Sequence, residues 1–219
     1  MSVASNSGVY LREPHLWYFR FRGTNFNLTM FEQFQTSLPL AEAERFTRHF
    51  KRMELPARKV LLREGEISQR AFWIEKGCVR AWFNNDGEDN TFQFFFENSM
   101  VSSIESFRKN IASTITLETI EPCVLWYADK ADVERIISDI TLDPALSSMF
   151  IDVVFERAFD YMKHCLSYIR DSPQQRYLNL LEEKPQLIQR VPQHYIASYL
   201  GISKVHLSRI KSKLAKGKS

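Results

Sequence analysis

The 219-residue sequence has few cysteines, and its three, Cys78, Cys123 and Cys165, are odd in number and far apart. They fit buried thiols in a reducing cytoplasm better than a disulfide framework. No CxxC pair or Cys/His cluster offers a zinc or iron–sulfur site, and the histidines show no metal-type spacing, so no metal or cofactor is expected. No run of about 18 apolar residues is present to cross a membrane as a helix. The N-terminus lacks the basic, apolar and small-residue succession of a secretory signal. Neither a phosphate loop nor a nucleophile, base and orienter can be assembled, so an enzyme is not expected. The most telling absence is acid. From Lys184 to the end there is no Asp or Glu against eight Lys or Arg. The whole chain is only +3, so the residues before Lys184 carry a net −5, that total less those eight. A basic tail on an acidic body is an electrostatic footprint for nucleic acid.

The tail itself reads as two short helices around a glycine. Pro192 suits a first helical position. Tyr195, Ile196 and Leu200 follow at helical spacing, and the small Ala197 lets a second helix approach. Gly201 suits a left-handed helix end. Ser203 can cap a second helix whose inner side is Leu207, Ile210 and Leu214. Lys204, His206, Arg209, Lys211 and Lys213 then point largely outward. A helix that is apolar inside and basic outside is what a helix-turn-helix places in the DNA major groove. The plainer alternative is a helical hairpin with a solvated basic face, which periodicity alone also fits. The charge asymmetry favours DNA.

Apolar residues make up 44% of the chain and aromatics 13%, enough for real cores. Residues 1–29 are aromatic and basic without a clear period and read as a variable extension, with Met30 a candidate natural start. Leu38 to Phe50 reads as an amphipathic helix carrying Phe46 and Phe50 at i, i+4. Residues 53–128 read as short β-branched and aromatic strands separated by glycine turns, an all-β roll or barrel. Asn85-Asp86-Gly87 is its strongest hairpin signal. From Asp129, a candidate cap, the period turns helical. Asp143-Pro144 opens an uninterrupted helix to Arg170, roughly 40 Å long. Its stripe of Leu146, Phe150, Val153, Val154, Ala158, Tyr161, Met162, Cys165 and Ile169 suits packing on the roll and a two-fold dimer seam. Ser172-Pro173 caps a further helix, which Lys184-Pro185 ends.

This order of parts resembles the Crp/Fnr superfamily of bacterial transcription regulators, over roughly residues 31–214. The resemblance rests on Leu62-Arg-Glu-Gly-Glu66, on Phe72-Trp-Ile-Glu-Lys-Gly-Cys-Val-Arg80, and on Ile196-Ala-Ser-Tyr-Leu-Gly-Ile-Ser203 followed by Leu207-Ser-Arg-Ile210. The segment from Phe94 to Phe107 is similar to the variant common in Bacteroidetes-type members. It implies an α+β chain. Residues 30–142 would be a β-roll (a double-stranded β-helix, cyclic-nucleotide-binding-like). Residues 143–170 would be a dimerisation helix and 171–219 a helix-turn-helix domain. It implies a homodimer on a two-fold-related double-stranded DNA site, with RNA polymerase as a further partner. The family's base-reading positions fall on Lys204, Val205 and Arg209. Arg209 keeps the fork that grips a guanine edge, Lys204 keeps only charge, and Val205 loses an acceptor that His206 can partly replace. Ser203, Lys211 and Lys213 are placed for phosphates. Cyclic-nucleotide-binding relatives use a Gly-Glu segment and an arginine next to serine or threonine. The matching places here are Ser102-Ser103 and Ser113-Thr114. With no arginine there to neutralise a buried phosphate, cyclic AMP is not expected to bind. Ser102, Ser103, Glu105, Ser113 and Thr114 remain the candidate effector pocket. The alternative reading is a small-molecule-binding roll without specific DNA binding.

Overall fold

Short β-branched and aromatic runs with turn signals between them build eight antiparallel strands among the described residues. They are β1 (Lys51–Leu55), β2 (Val60–Leu62), β3 (Arg70–Lys76), β4 (Val79–Asn85), β5 (Glu88–Phe95), β6 (Met100–Val101), β7 (Thr116–Thr119) and β8 (Cys123–Asp129). The computed structural model describes residues 46–216. The extension before Met30 and the start of the Leu38–Phe50 helix lie outside the described residues. The strands form two four-stranded sheets, ordered β1-β8-β3-β6 and β2-β7-β4-β5. Leu62, Phe72, Ile74, Val79, Ala81, Phe95, Leu117 and Leu125 fill the space between them. Each of the larger of these side chains, taken fully from water, contributes about 1.5–3 kcal/mol. The β4–β5 hairpin closes through Asp86 and Gly87, both at positive φ, as the Asn-Asp-Gly signal predicts.

At Gly77, between β3 and β4, φ is +106°, and an added Cβ would lie 2.5 Å from Cys123 Sγ and 2.9 Å from the Cys123 Cα and the Pro122 carbonyl. Only glycine fits there. Cys123 and Cys78 are both buried. Burial pushes the Cys123 thiol up to about 11 and raises that of Cys78 too. Both are packing thiols, as their spacing suggests. Cys165 is exposed.

The outer face of the first sheet is covered by the helix Lys130–Leu142. There Phe46 and Phe50 pack with Trp73, Phe107, Ala128 and Val133. Among the described residues the helices are α1 (Ile104–Lys109), α2 (Lys130–Leu142), α3 (Pro144–Arg170), α4 (Pro173–Glu183), α5 (Pro185–Arg190), α6 (Gln193–Tyr199) and α7 (Lys204–Lys216). Asp143 caps α3 by accepting from the Ala145 and Leu146 amides at 2.8 and 3.1 Å. Ser172 caps α4 from the Gln175 amide. Asp129 stands at the cap position of α2, but its carboxylate is taken by Arg70 at 3.0 Å and Lys51 at 3.6 Å, so it caps no amide. Pro185 does not simply end a helix. It is the first residue of α5, where a missing N–H costs nothing. Pro192 sits one position earlier than expected, as the cap of α6.

The 27 residues of α3 divide into two faces. Leu146 packs with the cluster over the first sheet, and Tyr161 lies 5.6 Å from Phe92. Away from the roll, Ile151, Phe155, Met162, Leu166 and Ile169 are exposed, Ile169 by 85%. Ile151, Phe155, Ala158, Met162, Cys165 and Ile169 alternate at four- and three-residue steps, a heptad seam with the small Ala158 midway.

Candidate nucleic-acid interface

The two terminal helices α6 and α7 meet at Gly201, whose φ is +65°. A Cβ there would approach the Tyr168 ring to 3.0 Å. Ile196, Ala197, Leu200, Leu207 and Ile210 form the core of this unit, together with Leu180 and Leu187 from α4 and α5. Ser203 caps α7 as the sequence predicts, its hydroxyl accepting from the His206 amide at 3.2 Å. Such a cap contributes about 1 kcal/mol.

With Leu207 and Ile210 turned inward, Lys204, Val205, His206, Arg209, Lys211 and Lys213 are all exposed. Val205, a side chain with nothing to gain from water, is 61% exposed. Lys211 Nζ donates to Gln193 Oε1 at 3.0 Å, which steadies it across the two helices. Among the described residues none pairs with Arg209. Ser203, Val205, His206, Arg209 and Lys213 line an open concavity of about 640 Å³, with Ser172, Pro173 and Gln174 as its other wall. Sequence reasoning placed the α7 residues but took Ser172-Pro173 for a cap alone. Their nearness to α7 has no local signature.

The serines of the candidate effector pocket are brought together. Ser113 Oγ lies 2.9 Å from Ser103 Oγ, and Ser102 Oγ 3.2 Å from Ser68 Oγ. Ser106, which the sequence did not single out, accepts from the Ser68 amide at 2.9 Å and donates to the Ile111 carbonyl at 2.6 Å. The hydroxyls therefore satisfy one another and nearby carbonyls. Glu105 is not part of this cluster: it is exposed and paired with Lys109 at 2.7 Å. Thr114 and Arg108 are exposed as well. Among the described residues no group of His, Cys, Asp and Glu can hold a metal, and no helix is long and apolar enough to cross a membrane.

The helix pair sits on the outer face of β4 and β5. The Ser198 hydroxyl accepts from the Thr91 amide at 2.7 Å and donates to the Asp89 carbonyl at 2.8 Å. Arg190 grips Glu97 at 2.7 and 2.8 Å and reaches Glu121. The carboxyl of Glu97, already burdened by burial, is held below the usual range by Arg190 and the Gly77 amide. Arg80, 1% exposed, pairs with Glu118 at 2.8 Å and carries Tyr195 over its guanidinium at 3.8 Å. His164 of α3 stacks on Tyr199 at 4.5 Å. Burial, with Lys184 and Arg176 nearby, lowers its pKa to about 4, so it is neutral at pH 7.

Residues 52–139 match the model of the cyclic nucleotide-binding domain. Among curated proteins no sequence relative matches the chain. Solved structures match it over most of its length. The c-di-GMP responsive global regulator CLP of Xanthomonas campestris, 19% identical, covers 82% of this chain and 93% of its own with a TM-score of 0.66. FixK2 of Bradyrhizobium japonicum, 14% identical, covers 77% and 86% with a TM-score of 0.65. A CooA mutant from Carboxydothermus hydrogenoformans, 14% identical, covers 90% and 87% with a TM-score of 0.63. Residues 52–139 are thus similar to a cyclic nucleotide-binding domain, within a chain that shares the fold of these three regulators.

Proposed function

We propose that this chain is a cytoplasmic, homodimeric transcription regulator that binds double-stranded DNA through α7. The observation that carries this reading is the exposed outer face of α7. It presents Arg209, His206, Lys204 and Val205 beside the Ser172–Gln174 wall, in a tail without a single acid. Arg209 reads a guanine edge, and Lys204 and His206 touch neighbouring bases. Ser203, Lys211 and Lys213 hold phosphates and set the register. The heptad seam of α3 joins two copies, so two α7 helices address two half-sites. RNA polymerase is the partner through which binding acts on transcription. That CLP is a global regulator of gene expression supports the assignment.

The roll on this reading does not bind cyclic AMP. Ser113 stands where a phosphate-neutralising arginine is needed, and the serines of the pocket are spent on one another. A phosphate buried there would lack a cation.

Fluorescence anisotropy on a two-half-site duplex tests both statements. Arg209→Ala is expected to lose about 1–3 kcal/mol on the preferred site and little on unrelated DNA, which flattens sequence preference. Lys213→Ala weakens binding to all sequences alike and lowers the salt slope by about one. Cyclic AMP moves none of these curves. Arg209→Ala with wild-type affinity and preference contradicts the docking of α7.

A further inference from the structure

We infer that the outer face of the β4–β5 hairpin is a seat that sets the angle of the α6–α7 pair, with Ser198 and Arg190 as its positioning residues. The inference rests on the DNA-binding reading and adds what determines the distance between the two half-sites.

The seat begins at an irregularity in the sheet. Ala81 pairs with Gln93 but Trp82 pairs with Thr91, so Phe92 is an extra residue, a bulge. Bulges re-aim backbone groups, and here the Thr91 amide points to Ser198 Oγ. The same hydroxyl donates to the Asp89 carbonyl. Ser198 thus takes hold of the β5 backbone through both its hydrogen-bonding capacities. A second hold is Arg190, whose two terminal nitrogens meet both oxygens of Glu97. A two-pronged contact resists rotation, which a single point charge does not. Glu97 in turn accepts from the Gly77 amide at 2.8 Å, so the grip reaches the roll's β3–β4 turn.

Between these holds lie flat contacts. Tyr195 covers the Arg80 guanidinium, which Glu118 and Asp89 hold from below. Tyr199 packs edge-on against Phe94 at 5.3 Å, and its hydroxyl lies 3.3 Å from Gln93 Oε1. The Tyr199 carbonyl accepts from the Tyr168 hydroxyl of α3. Helices α5 and α6 are therefore held by separate points on β4, β5, Glu97 and α3, and α7 follows α6 through the Gly201 turn. Directional bonds at separated points define an orientation. Apolar contact alone would define only adhesion.

The seat engages α5 and α6 and leaves the outward face of α7 uncovered. It does not block DNA. In a dimer joined through α3, the separation of the two α7 helices depends on how each pair sits on its own roll. That separation is the spacing between half-sites a two-fold dimer accepts. No effector is needed to hold it, since every contact named comes from the chain itself.

The test uses full-length protein and duplexes carrying both half-sites at the preferred spacing or with one or two base pairs inserted. Wild type is expected to weaken about tenfold or more per misplaced base pair, as a rigid two-site binder does. Ser198→Ala and the double variant Ser198→Ala/Arg190→Gln are expected to compress that range to within about threefold while each half-site is still read. If the double variant does not fold, as judged by its thermal melt, Ser198→Ala decides alone, since it removes one hydroxyl. Wild-type discrimination in the variants, with affinity unchanged or uniformly lowered, overturns the seat. Failure of wild type to bind any duplex overturns the DNA-binding reading itself.

Discussion

Phe155→Glu is expected to convert the protein from dimer to monomer at micromolar concentration and to abolish tight binding to a two-half-site duplex. Phe155 is 55% exposed on the chain alone, and it lies between Ile151 and Ala158 on a seam that continues through Met162, Cys165 and Ile169. Closing the seam would bury this carboxylate beside its two-fold mate in an apolar channel. An unpaired buried charge costs several kcal/mol, so a loss of at least about a hundredfold in dimer affinity is the modest expectation. The avidity of two half-sites is lost with it, about another hundredfold or more on DNA. Sedimentation velocity reads the first effect and anisotropy the second. Glu156→Gln, exposed and off the seam, should leave the dimer intact. A Phe155→Glu protein that still sediments as a dimer would move the interface elsewhere.

Gly77→Ala should be the most damaging single methyl in the roll. At φ +106° an L side chain is strained by about 1–3 kcal/mol. The Cβ also meets the Cys123 and Pro122 backbone at 2.9 Å, and backbone in a paired strand cannot step aside cheaply. The combined cost is about 3 kcal/mol or more, a fall of about 6–12 °C in the melting temperature of the whole chain. Gly87→Ala is the matched control. Its φ is +88°, but nothing lies within 4 Å of the added carbon, so it bears the backbone strain alone. Calorimetry on both variants separates steric from conformational cost. Equal melting temperatures would show that the β3–β4 turn yields freely.

Local signals in the sequence were reliable where the physics is local. The Asn85-Asp86-Gly87 hairpin, the Asp143, Ser172 and Ser203 caps and the Gly201 turn all depend on neighbours within four residues. The seat does not. Ser198 meets Thr91 across 107 residues and Arg190 meets Glu97 across 93, and no window of sequence holds both partners. Arg80 in a strand reads as a solvated charge, yet it is almost wholly buried, because Glu118, Asp89 and Tyr195 converge on it from three other elements. The α3 stripe was legible as serving both the roll and a seam, but not which residue serves which. One period of hydrophobicity cannot say that Leu146 and Tyr161 face the chain's own roll while Met162 and Ile169 face away. Phe155 and Leu166 belong to the exposed side and lay outside the stripe read from sequence. Asp129 shows the same limit: a good cap residue is drawn off by Arg70, 59 residues away.

The most direct test of the account is selection of bound duplexes from a random DNA pool by the full-length protein at physiological salt, followed by sequencing. Enrichment of a two-fold-symmetric motif with a guanine in each half-site is expected, obtained without cyclic AMP, and Arg209→Ala is expected to lose the preference at that guanine. A pool that stays random, or a motif with a single half-site and no symmetry, would contradict it.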